Sequence, residues 1–140
     1  MTASIVASAQ VIIDWIVSLG WDSREEAGYP LRAGPEIHTE PDKIVHITGT
    51  GGPGYTTEEP ATDGWGFQAR VRGPSNDPFA AEAAAMLLDA TILGASFPVN
   101  IDGVQIQHVH RLSARPQPLP LDPADRRFEY TCSYIMIAGV

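Results

Sequence analysis

Residues 65–93 read WGFQARVRGPSNDPFAAEAAAMLLDATIL and decide the fold. The first eight alternate between an apolar and a polar face, which is the two-residue period of a half-buried strand. The apolar face carries Trp65, Phe67, Ala69 and Val71, and the polar face carries Gly66, Gln68, Arg70 and Arg72. We therefore predict a strand over 65–72 with both arginines facing solvent.

A capped helix follows this strand. The side chain of Asn76 or Asp77 can accept hydrogen bonds from free helix N–H groups, and Pro78 lies where its missing N–H costs nothing. The pattern predicts a helix over 78–93, ended by Gly94. The apolar stripe expected to lie flat against the sheet consists of Phe79, Ala83, Met86, Leu87 and Ala90.

The residues before this stretch supply a second helix and a further strand. Apolar side chains at helical spacing predict a helix over 3–19. Prolines and acids over 20–42 indicate an ordered loop with room for one short strand. A short β-branched run predicts a strand over 43–48.

The residues after it predict a hairpin, an arm and a closing strand. Asp102-Gly103 is a type I′ turn signal between short strands at 99–101 and 104–112. Four prolines over 115–123 predict an extended, polyproline-like arm. The last strand is predicted over 128–137.

Length and composition favour one domain over residues 1–140. A chain of 140 residues with 44% apolar and 19% charged residues can bury a core. Because the strands arrive in pairs with a helix between the pairs, the predicted fold class is α+β. We expect a mostly antiparallel four-stranded sheet packed by two helices, with long loops.

Charge and cysteine usage narrow the function classes. The formal net charge is −8, and residues 1–63 carry ten acids against three bases. With no run of lysine or arginine to offset this charge, tight nucleic-acid binding is not expected. Cys132 is the single cysteine, which rules out an intrachain disulfide and favours a cytoplasmic protein. The sequence gives no expectation of secretion or of membrane insertion.

The glycine-rich stretch Gly49-Thr50-Gly51-Gly52-Pro53-Gly54 matches the pattern of a dinucleotide-binding turn. A phosphate cradle needs a helix N-terminus next, but here Tyr55, Glu58 and Glu59 follow, and the acids would repel phosphate. We therefore interpret residues 49–64 as a loop. Its length makes it a candidate contact element.

No catalytic constellation is visible, and the chain is not expected to be an enzyme or to need a cofactor. His108 and His110 share one strand face and His46 lies on another strand, so a three-histidine metal site is one reading. Half-buried strand histidines are the simpler reading, because no carboxylate or cysteine ligand is spaced with them. Cys132 lies mid-strand and is expected to be a small core residue.

The arginines of the C-terminal half suggest a way to assemble. Two interpretations are open for Arg70, Arg72, Arg126 and Arg127. They form a solvated face, or they pair with the acids of residues 36–63 on a neighbouring copy. The second reading is a head-to-tail interface, and such interfaces close rings.

The order of elements resembles the tail terminator proteins of long-tailed bacteriophages. The resemblance extends over nearly the whole chain as an order of weak patterns. They are an N-terminal helix, Tyr29-Pro30-Leu31, a strand, a glycine-rich loop, Phe67-Gln68-Ala69-Arg70-Val71-Arg72-Gly73, an alanine-rich helix and Asp125-Arg126-Arg127-Phe128-Glu129-Tyr130.

The resemblance implies a homo-oligomeric ring, usually of six copies, in the tail-neck region of the virion and assembled in the host cytoplasm. Such a ring caps the tail tube, ends its polymerisation and meets the head-completion or connector protein. DNA would pass through its acidic lumen without specific binding. We hypothesise that the loop faces the tube and the proline arm reaches a neighbouring subunit.

The candidate interface residues are Gly51, Tyr55, Glu58, Glu59, Arg70, Arg72, Pro118, Asp122, Arg126 and Arg127. Two alternatives stay open. One is another neck or tail subunit, such as a head-completion stopper or a tube-related protein. The other is a small metal- or ligand-binding protein that uses the three histidines.

Overall fold

The structure is a computed structural model, which describes residues 8–24, 27–33, 42–55, 62–112, 114–120 and 126–139. These residues form two helices and seven strands. In chain order they are α1 (Ser8–Ser18), β1 (Leu31–Ala33), β2 (Ile44–Tyr55), β3 (Thr62–Ser75), α2 (Pro78–Leu93), β4 (Val99–Ile101), β5 (Val104–Arg111), β6 (Gln117–Pro118) and β7 (Arg127–Gly139).

The strands form one curled, mixed sheet in the order β1-β2-β3-β7-β5-β4. β7 pairs with β3 along its length, and on its other side with β5 and with the short β6. β1 runs parallel to β2, and the other pairs are antiparallel. The prediction of four mostly antiparallel strands is therefore wrong. β1 has three residues and β6 has two, which is too short for an alternating pattern to be recognised in the sequence. Each is a strand because it pairs with a longer neighbour.

β2 and β3 are longer than predicted, which corrects the loop at 49–64. β2 continues through the glycines to Tyr55, and Tyr55 pairs with Asp63. The register shifts near Gly51, whose φ of 85° is open to glycine and strained for other residues. The glycines therefore form bulges in a strand. Residues 56–61, the rest of the predicted loop, lie outside the described residues.

Both helices pack on one face of the sheet, and the predicted alternation of β3 is confirmed on that face. Phe67, Ala69 and Val71 are buried there, and the Phe67 ring stacks on Tyr134 of β7 with centroids 5.1 Å apart. Cys132 is buried beside Ala69, as expected of a small core residue.

The bounds of α2 are as predicted. Its cap is Asp77, whose Oδ1 accepts a hydrogen bond from the Ala80 N–H at 3.0 Å. The prediction of its buried stripe is wrong, because the face against the sheet consists of Ala81, Ala84, Ala85, Leu88, Asp89 and Ile92. Small alanines allow a close approach, and a Cβ added at Gly73 would lie 2.8 Å from the Ala81 Cβ.

The remaining predictions are confirmed in part. α1 lies within the predicted 3–19, and β1 is the short strand allowed for in the loop at 20–42. Asp102 and Gly103 have φ of 54° and 82° in the turn between β4 and β5, as a type I′ turn requires. The described part of the proline arm pairs through β6 with β7 of its own chain.

Candidate interaction surfaces

The side of α2 that faces away from the sheet is apolar. We call it the outer face of α2, and it consists of Phe79, Ala83, Met86, Leu87, Ala90 and Leu93. Phe79 is 79% exposed and Leu87 is 61% exposed. Apolar residues lie on both sides of α2, so burying one side leaves the apolar residues of the other side in solvent. Two large apolar side chains this exposed on one side of a helix make that side a candidate interaction site.

A groove runs along one flank of the outer face. Its volume is about 470 Å³, and the segment before β1 lies across it from Ala80, Ala83 and Leu87. Two hydrogen bonds hold that segment: the Trp21 indole N–H donates to the Tyr29 carbonyl at 2.9 Å, and the Tyr29 hydroxyl donates to the Ala80 carbonyl at 3.2 Å. The groove therefore has a fixed wall.

The geometry of that wall follows from Gly28 and Asp22. A Cβ on Gly28 would lie 2.0 Å from the Asp22 carbonyl oxygen, so the turn requires glycine. Arg24 donates to the Asp22 carboxylate at 2.9 and 3.0 Å, and these bonds lower the pKa of Asp22 to about 2. Burial raises the pKa of Tyr29, and the nearby Asp77 carboxylate adds to the rise.

Two opposite charges lie on the other flank of the outer face. In α2, all of which the structure describes, Glu82 is the exposed charged residue. Its carboxylate accepts from the Tyr130 hydroxyl at 3.3 Å. Arg115, just before β6, places its Nη2 3.7 Å from the Met86 sulfur. Glu82 and Arg115 also line a shared shallow pocket, so the two charges border the outer face on the same side.

Three of the predicted interface arginines are engaged within the chain. Arg70 pairs with Glu129 of β7 at 2.6 Å, and Arg127 pairs with Asp42 at 2.6 Å. Arg72 is 5% exposed, and its Nε donates to the Asp42 carbonyl at 3.1 Å. The prediction that Arg70 and Arg72 face solvent is therefore wrong for Arg72, and Arg70 is only partly exposed. The alternation of residues correctly predicted that both arginines lie on the face of β3 opposite its apolar side chains. It could not show that Asp42 packs against that face.

The other predicted interface residues are spread over the molecule. Arg126 and Pro118 are exposed, and Arg126 donates from Nε to the Asn76 side chain at 2.6 Å. Gly51 is exposed on β2, and the backbone of Tyr55 lies at the end of that strand. Glu58, Glu59 and Asp122 lie outside the described residues. Among the described positions, Arg126 and Pro118 lie near the start of β7, whereas Tyr55 lies at the other end of the sheet, where Asp63 pairs with Ala138.

The three histidines do not converge. His108 and His110 are exposed on β5 with ring centroids 4.5 Å apart, whereas His46 is buried on β2. β3 and β7 lie between those two strands. Within the ranges that the structure describes, no group of three histidine, cysteine or acidic side chains is placed to hold a metal ion.

A buried polar trio fastens α2 to the sheet and was not expected from the sequence. Asp89 is 8% exposed, forms an ion pair with Arg111 of β5 and accepts from the Tyr134 hydroxyl at 2.8 Å. Burial raises the pKa of Tyr134 above its usual range, and hydrogen bonds to Cys132 and Asp89 add to the rise. Asp89 and Tyr134 are buried and Arg111 is partly buried, and their contacts satisfy one another's polar groups, as is usual for buried polar side chains.

No protein-family model matches the chain, and no curated protein matches it significantly. Neither of the two helices described here is long and apolar enough to cross a membrane. The outer face of α2, with the groove and the charged flank on its two sides, is therefore the feature from which a function is inferred.

Proposed function

We propose that the chain is the subunit of a ring that caps a phage tail tube, ends tube polymerisation and joins the tail to the head connector. The outer face of α2 carries the proposal. A chain that leaves Phe79 79% exposed beside Leu87, at 61%, fits a protein that works inside an assembly. The kind of assembly is proposed from the order of sequence patterns, which resembles that of tail terminators.

One end of the sheet suits contact with a tube. Thr62 of β3 and Gln105 of β5 both pair with Gly139, so the start of β3 and the β4–β5 turn lie at the same end. The carboxyl groups of Asp14 and Asp102 meet there, and Asp14 raises the pKa of Asp102. We infer that this end faces the tube and the lumen, where negative charge keeps DNA from adhering.

The test is a tube-capping assay with the tail-tube protein encoded in the same genome. Tubes polymerised with this chain should be shorter than tubes alone and should carry a ring at one end in negative-stain images. Replacing residues 56–62 by Asn-Gly joins the paired Tyr55 and Asp63 with a two-residue hairpin turn. That variant should fold and lose capping.

The matched control is Leu112→Ser, an exposed change that follows the opposite end of β5 and leaves the β2–β3 connection intact. It should cap like the natural chain. Equal tube lengths with and without the protein would refute the capping role. Binding to the connector without any effect on tube length would instead support a head-completion stopper.

A further inference from the structure

We propose that two copies of this chain pair through the outer faces of their α2 helices, packed antiparallel about a two-fold axis. The inference goes beyond the capping role and does not rest on it, because pairing needs only this chain. It uses the apolar stripe of α2 and the two charges beside that stripe.

The stripe is complementary to itself. Small side chains separate the large ones along it: Ala83 lies between Phe79 and the pair Met86 and Leu87, and Ala90 lies between that pair and Leu93. Residues three and four apart lie on the same side of a helix, so this order is a row of knobs and gaps. Two antiparallel copies centred between Ala83 and Met86 place Phe79 of each opposite Ala90 of the other. The ring of Phe79 in each copy then packs on the small Ala90 of the other copy. The two contacts are equivalent, as an isologous interface requires.

The charges favour the antiparallel direction. A two-fold axis across the helices keeps the flank with Glu82 and Arg115 on the same side in both copies and reverses its direction. Each Glu82 then lies beside the partner copy's Met86, where Arg115 is held 3.7 Å from the sulfur. Two opposite-charge pairs form. A parallel arrangement would place this flank against the partner's groove and leave both charges without a counterpart.

The available area predicts the strength of pairing. A standard interface buries about 800 Å² on each partner. The 16 residues of α2 form a strip about 24 Å long and about 10 Å wide, well under half of that area. The groove and the charged flank must supply the rest, so we expect a reversible dimer with a dissociation constant on the order of micromolar.

The first test is sedimentation equilibrium of the full chain over a range of concentrations. The mass should rise with concentration from 15.1 kDa to twice that value. Phe79→Ser should stay monomeric throughout while its circular dichroism remains native. Leu112→Ser is the matched control, because Leu112 is 58% exposed and lies outside α2, and it should dimerise normally.

The second test exchanges the two charges and also distinguishes a second copy from a different protein. Glu82→Arg or Arg115→Glu alone should raise the dissociation constant about tenfold, since each change breaks two pairs and creates like-charge contacts. The double variant should recover most of the affinity. Because the two side chains also lie near each other within one chain, an equimolar mixture of the two single variants is compared as well. The mixture should recover the affinity only if Glu82 of one copy meets Arg115 of the other.

Three outcomes would overturn the inference: a natural chain that is monomeric at every concentration, equal behaviour of Phe79→Ser and Leu112→Ser, or no recovery in the double variant. Capping is measured separately. A monomer that caps tubes refutes pairing and leaves the capping role standing. A dimer that fails to cap tubes refutes the capping role and leaves the pairing of copies standing.

Discussion

Phe79 and Ala81 lie two residues apart on α2, yet Phe79 is 79% exposed and Ala81 is fully buried. Hydrophobicity alone would bury the larger side chain, because a buried aromatic ring removes more apolar area from water. The fit against β3 decides otherwise. Gly73 leaves room for only a small residue at its point of contact with α2, so Ala81 fills that point and Phe79 lies on the exposed side of the helix.

Gly73→Ala should destabilise the fold by about 1–3 kcal/mol. The new Cβ would lie 2.8 Å from the Ala81 Cβ and 3.0 Å from its backbone nitrogen, so α2 must shift to make room. Urea unfolding measures the loss. Gly49→Ala is the control, because Gly49 has no atom within 4 Å of its added Cβ and has no positive φ. An equal effect at both glycines would refute the close approach of α2.

Two adjacent leucines of α2 should respond differently to truncation. Leu88 is 2% exposed and lies against the sheet, so Leu88→Ala should cost about 2–5 kcal/mol in unfolding free energy. Leu87 is 61% exposed, and Leu87→Ala should change that free energy by less than about 0.5 kcal/mol. Both values are taken from urea unfolding at low protein concentration, where pairing of copies does not contribute. The reverse order of losses would show that α2 buries its other face.

Stability should fall at alkaline pH because of Tyr134. The unfolded chain releases the tyrosine proton near the ordinary pKa of about 10, while the raised pKa of the folded chain retains it. The unfolded state is therefore favoured as the pH rises above about 10, by about 1.4 kcal/mol per pH unit. Tyr134→Phe should lack this part of the slope.

The measurement compares urea unfolding of the natural chain and Tyr134→Phe from pH 7 to pH 11. At pH 7 the variant should be less stable, because Asp89 loses the hydrogen bond from the Tyr134 hydroxyl. The gap should narrow above pH 10. Tyr29 and Tyr130, whose pKa values are also raised, are present in both proteins and cancel in the difference. Parallel pH curves would contradict a buried, neutral Tyr134.

Local signals in the sequence predicted much of the fold. The cap at Asp77, the turn at Asp102-Gly103 and the alternation from Trp65 to Val71 each depend on neighbouring residues. A pattern that fixes dihedral angles or a strand face needs no knowledge of the partner strand. The helix start and the turn were therefore predicted at the correct residues, and β3 was predicted as a strand but with bounds shorter than Thr62–Ser75.

Features that depend on distant partners could not be read in this way. Apolar residues lie on both sides of α2, so periodicity could not show which side is buried. The limited space beside Gly73 determines that the side with Ala81 lies against the sheet. The glycines of β2 have low strand propensity, but pairing with β3 overrides it. The burial of Arg72 depends on Asp42, which is thirty residues away in the chain.

The candidate surface was hidden by the same ambiguity. Helical spacing placed Phe79 and Leu87 in the stripe predicted to lie against the sheet, and the structure leaves both exposed. The signal that could have found them is the small number of polar residues in α2, where Glu82 is the exposed charged one: a helix with apolar residues on both sides is expected to be covered on both sides. The arginines were predicted as interface residues instead. An uneven distribution of charge can be counted in a sequence, but the ion-pair partner of each arginine cannot be identified there.

The most direct test of the central claim is thiol labelling at Ala83→Cys, in the middle of the outer face of α2. The natural Cys132 is 5% exposed and gives a low background. Labelling should slow as the protein concentration rises and when tubes are capped, while a cysteine at the exposed Gln105 should react at one rate at every protein concentration. If Ala83→Cys reacts equally fast under all these conditions, the outer face of α2 is not a contact surface.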